Sequence, residues 1–312
     1  MKRPEYREKG VVWNLAQKFN AYCLRAFLPK SIRKARILVI LHIFYPESWK
    51  EIKCYINNLQ IYNYDLIVTY SRTVDITNII DDIKSFKNGV RIYSYDNKGF
   101  DIGPFVDVLQ RVDLGRYYAV IKLHSKGINR PSLYMYGHYY EYKDWFNVLY
   151  RGIVGLVNTH LSIKKIFKYD VGIVAPRELI VQDPVHKQNF TRVAAEENNI
   201  SFCPNYHFVA GTCMVFDSKV LQKFKNYRFT IEDFAETTRG EFSFAHFVER
   251  ALCMVAEDMG YKIVGNNVLR IGMLHEMIKV HKNRKYRALN LLHDSRFIID
   301  DNFSIVFLKV SQ

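Results

Sequence analysis

From Ala35 onward the chain alternates short runs of branched apolar residues with segments of helical periodicity, and few folds accommodate that alternation. The apolar runs are ILVILHIFY (Ile37 to Tyr45), YDLIVTYS (Tyr64 to Ser71), VRIYSY (Val90 to Tyr95) and YYAVIKLH (Tyr117 to His124). Between them, PESWKEIKCYINNLQ opens on Pro46 and Glu47, Val74 to Phe86 has helical spacing, and IGPFVDVLQRV forms a third amphipathic stretch. Proline and an acidic residue in a first turn are helix-start signals. Strands alternating with helices of this length predict a parallel sheet covered on both faces.

The second half repeats the theme less regularly. A long helical pattern covers Val148 to Phe167, and VGIVAP (Val171 to Pro176) reads as a short buried strand. Residues 177–205 are polar, carry Pro184 and Pro204, and read as a loop with a short helix near Thr191 to Glu197; loops of this length in compact domains are often functional. FVAGTCMVFD reads as one strand containing a glycine, SKVLQKF as a helix capped by Ser218, FSFAHFVERALCMVAEDMGY as a long helix ending near Gly260, and YKIVG as a closing strand. With 312 residues and 49% hydrophobic content the chain can bury a sizeable core. One α/β domain over residues 35–270 fits, with a basic amphipathic segment at 1–34 and an extension at 271–312.

Charge narrows the partners. The net charge of +14 favours anions: phosphate-bearing small molecules, anionic lipid or nucleic acid. Ten Lys and Arg face two Glu in residues 1–36, where Val12, Leu15, Ala16, Phe19, Tyr22, Cys23, Ala26 and Phe27 recur at helical spacing. This segment fits either a helix lying on an anionic membrane surface or one packed on the main domain. Positive charge concentrates there and at residues 279–287, and no nucleic-acid motif is present, so nucleic acid is not the expected partner. The five cysteines lack CxxC or metal-ligand spacing, the N-terminus does not resemble a signal peptide, and no apolar run is long enough to span a bilayer. A cytoplasmic protein is expected.

Open parallel sheets bind ligands at the carboxyl ends of their strands. Those positions carry His42, Tyr45 and Pro46; Tyr70, Ser71 and Arg72; the turn DNKGFDIG; and HSKGINR. His124, Lys126 and Arg130 place cationic groups beside a glycine-bearing turn and a helix N-terminus, a pattern suited to a diphosphate. In the turn, Gly99 and Gly103 permit positive φ or close backbone approach, and Pro104 suits a first helical turn. Asn97 and Asp101 can either bond a sugar hydroxyl or cap the following helix. The GxGxxG and GxxxxGK[ST] signatures are absent.

Five ordered blocks, LHIFYPESW, NKGFDIGPF, IKLHSKG, FVAGTCMVF and HFVERAL, resemble the signature of the rhamnan synthesis protein F family of bacterial polysaccharide rhamnosyltransferases, over roughly residues 35 to 265. The resemblance implies a glycosyltransferase that moves a deoxy sugar, typically L-rhamnose from dTDP-L-rhamnose, to a lipid-linked glycan at the inner face of the cytoplasmic membrane. It also implies a GT-A-like, Rossmann-like build: a mostly parallel sheet flanked by helices, here with a basic helical N-terminal extension. The donor would then meet His42, Tyr70, Ser71, Asn97, Gly99, Asp101, His124 and Lys126. In inverting enzymes of that build the base lies about eleven residues before a GY pair, which here is Glu249 before Gly260, with His246 one turn away. Glu241 and Asp233 are alternative bases, and Ala210 and Gly211 would leave room for the acceptor sugar. One departure stands out: where such enzymes carry an Asp-x-Asp metal motif, this chain reads KLHSKG. His124 and Lys126 are expected to stabilise the leaving group instead, with no metal or cofactor required, although Asp96 and Asp101 remain able to hold a divalent cation. Two other readings are a non-catalytic scaffold of a polysaccharide assembly complex and a basic nucleic-acid-binding protein.

Overall fold

The computed structural model describes residues 26, 29–127, 133–135, 138–140, 142–168, 170–235, 243–267, 297–299 and 305–307. The N-terminal stripe apart from Ala26, the basic cluster at 279–287, Arg130 and Glu241 lie outside the described residues. In chain order the first half runs α1 (Lys30–Lys34), β1 (Arg36–Ile43), α2 (Trp49–Ile56), β2 (Asn63–Ser71), α3 (Thr77–Phe86), β3 (Arg91–Tyr95), α4 (Ile102–Arg111) and β4 (Ala119–His124). There follow β5 (Leu133–Met135), β6 (His138–Tyr140), α5 (Tyr142–Val154), α6 (Asn158–Ile166), β7 (Val171–Pro176), β8 (Ile180–Gln182) and α7 (Val185–Glu197). The last elements are β9 (His207–Val209), β10 (Met214–Asp217), α8 (Ser218–Lys225), α9 (Phe244–Asp258), β11 (Lys262–Asn266), β12 (Phe297–Ile299) and β13 (Ile305–Phe307).

Seven strands form one sheet in the order β11-β7-β10-β4-β1-β2-β3. All neighbours pair parallel except β10, which runs antiparallel to both β4 and β7. The sheet is therefore mostly parallel, as the alternation of strands and helices predicts. Its central strands are buried on both faces: Ile37 to Leu41 are at most 1% exposed, and Val120, Ile121 and Leu123 match them. Each such side chain contributes about 1.5–3 kcal/mol by leaving water, which is why uninterrupted branched runs occupy the middle of the sheet.

Four local expectations need correction. The stretch Val148 to Phe167 is two helices, because polar side chains within it take up the carbonyls of the first helix's end: Asn158 Nδ2 donates to the Arg151 carbonyl at 2.7 Å and Ser162 Oγ to that of Ile153 at 3.0 Å. The polar region 177–205 is more ordered than a loop and contains β8 and a 13-residue helix, α7. FVAGTCMVFD is not one strand: Gly211 (φ +80°) and Thr212 (φ +51°) are consecutive left-handed residues. The chain turns there, so β9 pairs with β8 while β10 enters the main sheet. Finally, the cap of α8 is Asp217, whose carboxylate accepts from the Lys219 amide at 2.8 Å, and Ser218 is the first helical residue.

Candidate functional site

Polar side chains interrupt the apolar sheet at the carboxyl ends of β1, β2 and β4. The register places His42 between Thr69 and His124. Lys122, two residues before His124, presents to the same face of β4, because strand side chains alternate. The start of α4 covers that face, with Phe105 under the Lys122 ammonium at 5.4 Å. Asp101, the residue before α4, occupies the N-cap position yet caps nothing with its side chain. Its carboxylate instead accepts from Lys122 Nζ and, at 2.7 Å, from the Thr212 hydroxyl. Lys122 completes its bonds at the Thr212 hydroxyl (2.9 Å) and carbonyl (3.3 Å).

The turn at Gly211 and Thr212 is thus held from three sides. His124 Nε2 donates to the Gly211 carbonyl at 2.6 Å, and the Gly211 amide donates to Glu249 Oε1, from α9, at 3.2 Å. The other Glu249 oxygen pairs with Arg250 at 2.6 Å. Strand β4, the start of α4 and helix α9 therefore converge on one turn, with Lys122, His124 and Glu249 buried and Asp101 half-buried beside them.

Burial sets the protonation states. It opposes ionisation of Asp101, but His124 and the ammonium groups of Lys122 and Lys126 outweigh it and hold this carboxyl well below its ordinary range. Burial pushes His124 down to about 3 and His42 down to about 4 despite the pull of Asp101 on both. Both imidazoles are accordingly neutral at pH 7. The Nδ1 of His42 bonds Thr69 Oγ1 at 3.0 Å. Burial raises the Glu249 carboxyl, which Arg250 counteracts and Asp101 reinforces.

Because Lys122 is 1% exposed and lies on Asp101, replacing it by Met would leave a largely buried carboxylate without its cation. Lys122→Met is expected to cost about 3–5 kcal/mol. Combining it with Asp101→Asn should recover most of that loss. Urea midpoints at constant m-value test both statements, and a single variant as stable as the parent would count against the ion pair.

Of the residues singled out in the sequence, His42, Asp101, His124, Gly211 and Glu249 meet in this cluster, with Lys126 half-buried beside it and acting electrostatically on Asp101 and His124. Others are engaged locally. Ser71 shares a hydrogen bond with the Thr73 hydroxyl at 2.8 Å, and Tyr70 is the half-buried residue before it. His246 Nδ1 accepts from the Ser243 hydroxyl at 2.8 Å in a capping box that starts α9, and its ring lies edge-on to Phe100. Asp233 caps a turn through Thr230, and Asp96 pairs with Arg72 at 2.8 Å.

The glycines have packing reasons the sequence did not disclose. Gly99 has φ +68°, and a Cβ there would lie 2.4 Å from the Phe234 ring, so the turn at Asn97 to Gly103 is covered by the segment around Ile231 to Phe234. Lys98 reinforces that contact through Glu232. A Cβ at Gly211 would meet Leu149 and Trp145 at 2.9 Å, and Ala210 is 3% exposed. Space for a sugar therefore does not explain these two small residues. Lys122, Thr212 and Asp183 were missed. Only Lys122 had left a signal, as the single lysine in an apolar strand.

Fold and rim together define an α/β protein with a buried ionic cluster where open parallel sheets bind ligands. The chain belongs to the rhamnan synthesis protein F family, whose model matches residues 20–261. No curated protein matches it. Distantly similar solved structures include the mannosyltransferase Ktr4p from S. cerevisiae in complex with GDP, at 12% identity, 84% of this chain, 81% of that chain and a TM-score of 0.38. Glucosyl-3-phosphoglycerate synthase from Mycobacterium tuberculosis in complex with UDP is similar at 12% identity, 84% and 89% coverage and a TM-score of 0.35. Likeness at this distance bears on neither mechanism nor ligand. Among the described residues no helix is long and apolar enough to cross a membrane.

Proposed function

We propose that the protein is a GT-A-like glycosyltransferase of surface polysaccharide synthesis, moving a deoxy sugar, L-rhamnose from dTDP-L-rhamnose, onto a lipid-linked glycan with inversion. Family membership supports the substrate class. The single observation that carries the site is the largely buried Asp101–Lys122–His124–Glu249 cluster around the Gly211 turn, at the carboxyl ends of the central strands.

In this reading residues 35–270 form the transferase domain. The acceptor hydroxyl attacks the anomeric carbon, its proton passes to Glu249, and the bond from that carbon to the diphosphate oxygen breaks. Lys126, beside Asp101 and His124, meets the charge of the departing dTDP. Neutral His42 and the residues from Tyr70 to Ser71 and Asn97 to Gly99 line the donor side. The basic N-terminal segment brings the enzyme to the inner face of the cytoplasmic membrane, where each nearby Lys or Arg adds on the order of 1 kcal/mol.

A divalent cation does not fit the residues present. Lys122 and His124 stand where paired carboxylates would bind it, Asp101 is bonded to Lys122 and Thr212, and Asp96 is paired with Arg72. Among the described residues no group of three or more His, Cys, Asp or Glu is arranged so that it could hold a metal ion.

Thermal unfolding with nucleotides tests the reading. At one hundred times its Kd, dTDP should add about 2.7 kcal/mol of stability, in chelator as well as in magnesium. GDP and UDP should do less. A transition that no nucleotide moves would sink the reading and favour a non-catalytic role in an assembly complex.

A further inference from the structure

Two charged residues near the rim have no part in the scheme above. Asp183, 6% exposed, lies between β8 and α7, and Arg250 follows Glu249 on α9. Arg250 holds Asp183 with two bonds, Nε to Oδ2 at 2.8 Å and Nη2 to Oδ1 at 3.2 Å. Its remaining nitrogen, Nη1, donates to Glu249 Oε2 at 2.6 Å and to the His246 carbonyl at 3.1 Å. The guanidinium lies over the Phe208 ring at 4.0 Å. Asp183 is fixed in turn by the Tyr206 hydroxyl, which donates to it at 2.6 Å and accepts from Thr191. The guanidinium is therefore gripped on one edge, supported on one face and aimed with its other edge at Glu249.

We infer that Asp183, acting through Arg250, is a positioning residue for Glu249: it grips the far edge of the guanidinium fork, holding the Glu249 carboxylate against the Gly211 amide while leaving it only a share of the arginine's charge. The inference rests on the reading of Glu249 as the proton acceptor. A carboxylate paired with an arginine of its own is a weak base, because the cation stabilises the ionised form. With Asp183 present, one cation serves two carboxylates. Burial opposes ionisation of Asp183, but the bonds from Arg250 and Tyr206 outweigh it, so Asp183 stays ionised and keeps its claim on the guanidinium.

The other groups acting on Glu249 come from different elements. Asp101 before α4 raises its proton affinity, Lys122 on β4 and the Gly211 amide lower it, and His246 precedes it by one turn on α9. Asp183 is the carboxylate among these that reaches Glu249 through the arginine it shares. Its place in the polar region 177–205 gives that region a task at the rim.

The test titrates Glu249 directly in the full-length protein labelled with 13C at the glutamate side-chain carboxyl, its resonance identified by loss in Glu249→Gln. Asp183→Asn should lower the Glu249 midpoint by roughly one pH unit, because Arg250 then serves Glu249 alone. Arg250→Gln should raise it by a similar amount. The Asp183→Asn/Arg250→Met double variant leaves neither partner buried without its counterion, so it tests the same point if a single variant fails to fold. Its midpoint should also lie above the parent's. Midpoints unmoved, or moved in the same direction by both single variants, would overturn the inference. Sugar transfer by Glu249→Gln at the parental rate, with the midpoint shifts intact, would instead overturn the assignment of Glu249 as proton acceptor and leave the charge sharing standing.

Discussion

Glu249→Gln is expected to lower kcat for sugar transfer by about 10²–10⁴-fold while leaving stabilisation by dTDP unchanged. The range is that of a general base removed from its reaction. Folding should survive the change. Gln keeps the size of Glu and an oxygen to accept from the Gly211 amide at the site of the present 3.2 Å bond. Arg250 loses the charge it faces at 2.6 Å but retains its two bonds to Asp183, so no uncompensated ion is left in the interior. A loss confined to kcat, with nucleotide binding intact, separates proton removal from donor recognition. A folded variant that transfers sugar at the parental rate would show that the proton goes elsewhere.

The second large effect is acid destabilisation beginning well above the carboxylate range. His42 and His124 are buried as neutral rings, with values pushed down to about 4 and about 3 from the ordinary 6.5. Their folded-state values lie below the unfolded ones, so the stability they represent is complete above pH 6.5. It is lost as pH falls toward 4 and 3, where the unfolded chain binds protons that the fold refuses. Each histidine contributes a slope of about 1.4 kcal/mol per pH unit across that window. Together they can remove about 5 kcal/mol by pH 4.5, comparable with the whole stability of a marginal domain. Asp101 acts in the same direction but later, since its carboxyl is held well below the ordinary carboxylate value and loses its pairing only as pH falls through its folded-state value. Urea denaturation from pH 7 to 4 measures the slope. His42→Gln should reduce it by about half, because one of the two buried rings then no longer titrates. An unchanged slope in that variant would mean that His42 takes its proton within the fold.

The central strands of the first half were legible because burial on both faces demands apolar residues at almost every position, as in Ile37 to Leu41 and, Lys122 apart, Ala119 to Leu123. The helix breaks were not, because they depend on where single polar side chains reach. Asn158 and Ser162 look like tolerated residues in one long helix until they are seen to occupy the carbonyls of Arg151 and Ile153. The direction of β10 was equally hidden, since a buried apolar run is the same read either way. Among the functional candidates, His42, His124 and Asp101 could be named from their positions at strand ends and a helix start. His246 could not be distinguished from a functional histidine by its spacing, and the Ser243 contact gives it a capping role.

The sequence by itself determined the α/β class, the strands of the central sheet and the rim on which polar residues collect. Period and burial are local properties, written residue by residue. Only the tertiary structure decided which of those polar residues face one another. Lys122 is followed in the chain by apolar Leu123, yet its charge is spent on Asp101, 21 residues earlier, and on Thr212, 90 residues later. Asp183 reaches Arg250 across 67 residues. Such pairings arise where strand ends and helix starts from distant segments are brought to the same edge of the sheet, and electrostatics acts across the space between them regardless of the chain between.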